Sequence, residues 1–160
     1  MDEEIEAIAE AGLAEASRNQ TAKQAARILL TKEAGFVIPT SAQKRLLLVE
    51  FARRNLVVYG KAFDIVKLLG PVNLDDATDV ERNLDHIMLC EIKSTRKALP
   101  ADFKGYFFAL TTAELLVAQN LKHRFRFILV STVTEAYIEL SLSELFAKAR
   151  GIYPTWSIMF

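Results

Sequence analysis

The stretch His86–Lys93, "HIMLCEIK", constrains the fold more than any other part of the chain. A short apolar run between polar segments suits a strand covered on both faces, and such a strand belongs at the centre of a sheet. Alternation assigns Ile87, Leu89, Glu91 and Lys93 to one face and Met88, Cys90 and Ile92 to the other. Glu91 and Lys93 therefore interrupt an interior strand near its C-terminal end. Burying such a pair brings little stability, because desolvation offsets much of the Coulomb attraction. The pair calls for a chemical reason.

The segments around this strand give the architecture. Ile5, Ile8, Gly12 and Leu13 recur at helical spacing, and "TAKQAARILLTKEAG" follows as a second short helix, with Thr21 as cap and Gly35 as stop. A third helix begins after Pro39, capped by Thr40 or Ser41, and ends near Asn55. The β-branched and aromatic runs "LVVYG" and "AFDIVKLLG", bounded by Gly60 and by Gly70–Pro71, read as strands. Residues 71–83 read as an acidic loop with at most one helical turn, either a solvated insertion or a lid near the site.

After the central strand, "STRKALPADFKG" reads as a polar connection and "YFFAL" as a strand. "TTAELLVAQNLKH" reads as a helix capped by Thr111 or Thr112 near Glu114. "FRFILVSTV" and "AYIEL" read as strands, and a last helix starts at Ser141 or Ser143 and stops at Gly151. This order predicts an α/β or α+β fold: a mixed central β-sheet flanked by helices, in a single domain over 1–160. An N-terminal helical layer takes residues 1–38 and the core residues 39–160.

A chain of 160 residues, 51% hydrophobic and 25% charged, suits one packed domain. No apolar run is long enough to span a bilayer, and the acidic start "MDEEIEAIAEAGLAEAS" is unlike a signal peptide. The expected setting is therefore the cytoplasm, with no membrane partner. Cys90, the single cysteine, belongs to the apolar core. Residues 1–16 hold six acids and no Lys or Arg, which leaves 20 basic against 14 acidic residues elsewhere. Such a body is compatible with a polyanionic partner, although solvated helix faces carry similar charge. His86 and His123 form no motif, and no glycine-rich phosphate loop is present.

A second carboxylate in a mainly apolar strand is Asp64, which alternation places on the face of Ala62 and Val66. An aspartate in one strand followed by a strand ending Glu-x-Lys resembles the PD-(D/E)xK nuclease superfamily. The pattern "EIKST", then "YFFAL", "TTAEL" and "FRFILVS", is similar to the NO VEIN-like nuclease domains attached to bacterial restriction and defence proteins. The resemblance covers roughly residues 40–160, and the terminal Tyr153 and Trp156 resemble that family's closing segment.

The resemblance implies a restriction-endonuclease-like sheet and a metal-dependent nuclease of the cytoplasm, cutting DNA, or RNA, in bacterial or phage defence. It implies Asp64 and Glu91 as ligands of Mg²⁺ or Mn²⁺, with the backbone carbonyl of Ile92 as a third oxygen. Lys93 would orient the attacking water or stabilise charge on the phosphate, and Glu50 would assist from a helix. Two carboxylates and a lysine suit this chemistry because a phosphodiester must accept a water despite its own negative charge.

Arg96, Lys97 and Lys104 are the expected phosphate contacts, with Arg124 and Arg126 of "KHRFRF" as weaker ones. Asp76, Asp79 and Asp85 are alternative metal ligands. A homodimer or a larger defence complex would suit double-strand cutting. The second functional class is a nuclease-like domain that binds nucleic acid or a protein without cutting. The acidic N-terminus has two readings, a docked amphipathic helix or a mimic of nucleic acid covering the basic groove.

Overall fold

The computed structural model describes residues 17, 19–155 and 158. The acidic segment 1–16 and Trp156, each the subject of an expectation above, lie outside the described residues. Helix α1 covers residues 19–30. Thr21 lies inside it, with its hydroxyl donating to Ser17 O at 2.9 Å, so it does not serve as the cap. A short strand β1 (Phe36–Val37) follows, which the pattern did not reveal because two residues carry no period.

Helix α2 (Ser41–Arg53) is set by a capping box: Thr40 accepts from Gln43 N–H, and the Gln43 side chain accepts from Thr40 N–H. Strand β2 (Ile65–Leu68), helix α3 (Ala77–Arg82) and strand β3 (Ile87–Thr95) come next. Helix α4 (Thr112–Leu121), strands β4 (Phe125–Ser131) and β5 (Tyr137–Leu140), and helix α5 (Leu142–Lys148) complete the fold. Thr111 caps α4 and Ser141 caps α5, each through a box closed by Glu114 or Glu144.

The five strands form one sheet in the order β1-β2-β3-β4-β5. All neighbours are antiparallel except β3 and β4, which run parallel and are joined through α4. The chain is thus a mixed sheet flanked by helices, with β3 at its centre. The two faces of β3 separate as alternation requires. Met88, Cys90 and Ile92 join Ile65, Ile128 and Val130 in a core closed by Ala25, Ala26 and Leu29 of α1. Ile87 and Leu89 join Val66, Phe127 and Leu129 in the larger core beneath α2 and α4. Among the described residues, no helix is long and apolar enough to cross a membrane.

Two runs expected as strands are not part of the sheet. Leu56–Tyr59 and Tyr106–Leu110 alternate half-buried and exposed residues, yet neither enters the ladder. Their inward residues Leu56, Val58, Tyr106, Phe108 and Leu110 lie against the larger core. Period-two burial marks an extended chain crossing a core surface, and it makes a strand only where a neighbour pairs with it. The acidic segment 71–83 carries α3 and is anchored to the larger core by Leu74 and Val80, while most of its other residues are exposed.

Gly35 fixes the turn into β1. It has φ of +83°, and a β-carbon there would stand 2.3 Å from Leu68 O, whose own amide donates to Gly35 O at 2.8 Å. Gly35→Ala is expected to cost about 2 kcal/mol or more of unfolding free energy in urea. A loss below about 0.5 kcal/mol would contradict this reading of the turn.

Candidate active site

The charged end of β3 is covered rather than exposed. Among the described residues, the buried carboxylates are Glu50 (3% exposed), Glu91 (7%) and Glu114 (5%), and the other buried polar side chains are hydroxyls. Three elements bring the site together. The β2–β3 register pairs Ile65 with Cys90, so Asp64, one residue before β2, lies across from Glu91. The Asp64 amide donates to Cys90 O at 2.9 Å, and its carboxylate oxygen Oδ2 accepts from the Ile92 amide at 2.9 Å. That carboxylate takes the ladder position beyond the end of the β2 backbone. It is therefore held in place by the strand it faces.

Lys93, two residues beyond Glu91 on the same face, donates to Glu91 Oε1 at 3.0 Å and to Glu114 Oε2 at 2.8 Å. Glu114 comes from the first turn of α4, and its Oε2 also accepts from the Thr111 amide at 3.0 Å. The crossover returns α4 from the C-terminal end of β3, which sets the helix N-terminus above Lys93. Sequence reasoning read Glu114 as a cap alone. The Thr-x-x-Glu box that signals the cap also points a carboxylate toward the preceding strand end, and that was the available clue.

Charge balance dominates the site. Glu91 and Glu114 share the Lys93 ammonium in a largely desolvated space, with the Asp64 charge also near Glu91. Burial pushes the Glu91 carboxyl up to about 9, reinforced by the negative charges of Asp64 and Glu114 and opposed by Lys93. Burial draws the Lys93 ammonium down, but Glu91 and Glu114 together outweigh it and hold its pKa above the ordinary lysine value. The metal-free site therefore favours the protonated form of Glu91 and the charged form of Lys93. It has a surplus of acceptor oxygens and a deficit of positive charge.

The donor set fits a small hard cation. Asp64 Oδ1 and Glu91 Oε2 accept no hydrogen bond from the described residues, and Mg²⁺ is held through one or two carboxylates while keeping several waters. Among the described residues, no group of three or more His, Cys, Asp or Glu side chains is gathered to hold a metal ion. Lys93 bridges Glu91 and Glu114, and Asp64 lies across from Glu91 on the neighbouring strand.

The remaining candidates have other surroundings. Glu50 is buried on α2, but its partner is Arg53, at 3.4 Å. The α2 residue beside Asp64 is instead Lys44, which sequence reasoning passed over. Its ammonium donates to Phe63 O at 2.8 Å and lies 4.7 Å from the Phe63 ring centroid. Glu50 is six residues farther along α2, about 9 Å. Arg96 is tied to α1 through Thr21 Oγ1 (3.1 Å) and Ser17 O (3.5 Å), on the opposite side of the sheet from Lys93. Lys97 and Lys104 are exposed.

The alternative metal ligands have structural partners. Asp76 caps α3 through the amides of Thr78 and Asp79. Asp79 accepts from the Asn73 amide at 2.6 Å and from Asn83 Nδ2 at 3.0 Å. Asp85 pairs with Arg124 and Arg54, and Arg124 holds its carboxyl below the usual range. His86 and His123 are exposed. No family model matches the chain, and no similar protein was found among the curated proteins or the solved structures.

The raised Glu91 value has a consequence for stability. The unfolded chain releases this proton near the ordinary value of 4.5 and the folded metal-free protein only near 9, so folding stability falls as pH rises between the two. Glu91→Gln is therefore expected to unfold at higher urea than the wild type at about pH 8 without metal, with the gap closing toward about pH 5. A gap that is absent at about pH 8, or that widens toward acid, would contradict a protonated, buried Glu91.

Proposed function

We propose that the chain is a metal-dependent phosphodiesterase acting on DNA, with a restriction-endonuclease-like arrangement of its mixed sheet. The observation that carries the reading is the facing of Asp64 and Glu91 across β2 and β3, with Lys93 next on the same face. Asp64 and Glu91 would hold Mg²⁺ or Mn²⁺, with the Ile92 carbonyl as a further oxygen. When bound, the ion offsets phosphate charge and lowers the pKa of an attacking water.

The protein's own groups supply position and charge. Asp64 is oriented by the Ile92 amide, so its free oxygen has a fixed direction. Lys93 is a cation in this setting and cannot serve as a base. It would act as a hydrogen-bond donor to the water or to the phosphoryl oxygen on which charge develops. Glu114 is a positioning residue, holding the ammonium at the mouth of the strand. Lys97 and Lys104, exposed beyond the strand end, would contact backbone phosphates. No step is assigned to Glu50 or Arg96. A setting in bacterial or phage defence, and a dimer for double-strand cutting, belong to this reading as well.

One observation favours a second reading. The Lys93 ammonium already bridges two carboxylates, as a bound cation would, and a domain frozen in this state would bind nucleic acid without cutting it.

Cleavage of mixed linear and circular DNA with Mg²⁺ or Mn²⁺ decides between them. The proposal expects cutting that EDTA abolishes, and a loss of about 100-fold or more in each of Asp64→Asn, Glu91→Ala and Lys93→Ala. Cutting that survives all three substitutions, or its absence in the wild type with both metals, would replace the nuclease with the binding domain.

A further inference from the structure

The segment after β3 presents an aromatic ring to solvent in a way that packing alone does not call for. Phe107 is 79% exposed, while both its neighbours are tied down. Tyr106 donates from its hydroxyl to Ser94 O at 2.8 Å and stands 5.1 Å, ring to ring, from Phe108. Phe103 is buried, its ring 6.3 Å from that of Tyr106. Leu99, Tyr106, Phe108 and Leu110 all pack on the larger core. The extended backbone of 106–110 therefore alternates inward and outward, and Phe107 is the large outward residue, fixed by anchors before and after it.

Phe107 also lines a cavity of about 220 Å³ with Thr95, Lys97, Leu99, Gly105 and Tyr106. Thr95 shares a face of β3 with Glu91 and Lys93, one side-chain step of about 7 Å beyond Lys93. The cavity thus continues the line of the candidate site past the end of the strand. Lys97 is its charged member, and Lys104 adds a second positive charge in the same connection, where Asp102 is the acid. A flat apolar ring beside a lysine, in line with a phosphodiesterase site, has the chemistry of a base-stacking platform with a phosphate contact.

We propose that Phe107 and the cavity beside it bind an unpaired nucleobase, so that the chain engages single-stranded DNA, or a locally opened duplex, next to the cutting site. This rests on the phosphodiesterase reading for the identity of the ligand. Stacking is tolerant of base identity, because every base has a π-face. Lys97 holds the adjoining phosphate, and its contribution is shared by single and double strands.

The test is metal-free binding, followed by fluorescence anisotropy of a short labelled oligothymidylate and of a labelled duplex at low salt. Phe107→Ala is expected to weaken single-strand binding about tenfold or more and to leave duplex binding within about twofold. Phe107→Trp should retain the affinity, and its indole emission should be quenched by the oligothymidylate. Lys97→Ala should weaken both ligands and reduce the salt dependence. Equal single-strand affinity in Phe107→Ala and wild type, unquenched indole emission at saturation, or no measurable single-strand binding would each overturn the proposal. No step depends on cleavage, so the two readings fail separately. A protein that stacks but never cuts loses the phosphodiesterase, and one that cuts but binds single strands without Phe107 loses the platform.

Discussion

The ammonium of Lys93, held between Glu91 and Glu114, is the interaction on which the site depends. It ties the C-terminal end of the central strand to the first turn of α4. Removing either carboxylate would leave the other pairing lopsided, and removing the lysine would leave three acids facing one another in a desolvated space. A buried cluster of this kind is sensitive to the loss of a charged member, even where the intact cluster adds little net stability. The capping box at Thr111 fixes Glu114 for local reasons of helix termination, and Lys93 uses the same oxygen as part of a tertiary contact.

The two faces of the sheet divide the work. The α1 face of β3 is apolar throughout, from Met88 to Ile92, and closes on Ala25 and Leu29. The other face is equally apolar up to Leu89 and then turns polar over Glu91 and Lys93. A continuous core on both sides gives β3 enough support to carry a cluster that is unfavourable when metal-free. Burial and the neighbouring acids favour protonation of Glu91, which would relieve the like-charge repulsion in part, and a cation would relieve it further.

Much of this was legible in the sequence, and the failures share a cause. The central strand, its two faces, and the inward direction of Glu91 and Lys93 followed from alternation alone. Asp64 was legible as a lone acid in an apolar run, and the β2–β3 register brings it to Glu91. "LVVYG" and "YFFAL" misled because their period-two pattern is real, while strand pairing depends on a neighbour that no local pattern contains. β1 was too short to show a period. Glu114 was seen but assigned only its local role, and Arg96 looked near the site in sequence, although alternation at the end of β3 sends it to α1. Contacts between distant segments, such as Lys44 with Phe63 O, left no trace in either pattern.

The central claim is that Asp64 and Glu91 together form a divalent-cation site. Calorimetric titration of the metal-free protein with Mn²⁺ tests it without reference to any substrate. The account predicts saturable binding near one ion per chain in the wild type, and its loss in Asp64→Asn and in Glu91→Gln while both variants remain folded. Binding of the same strength in both variants, or no binding in the wild type, would contradict it.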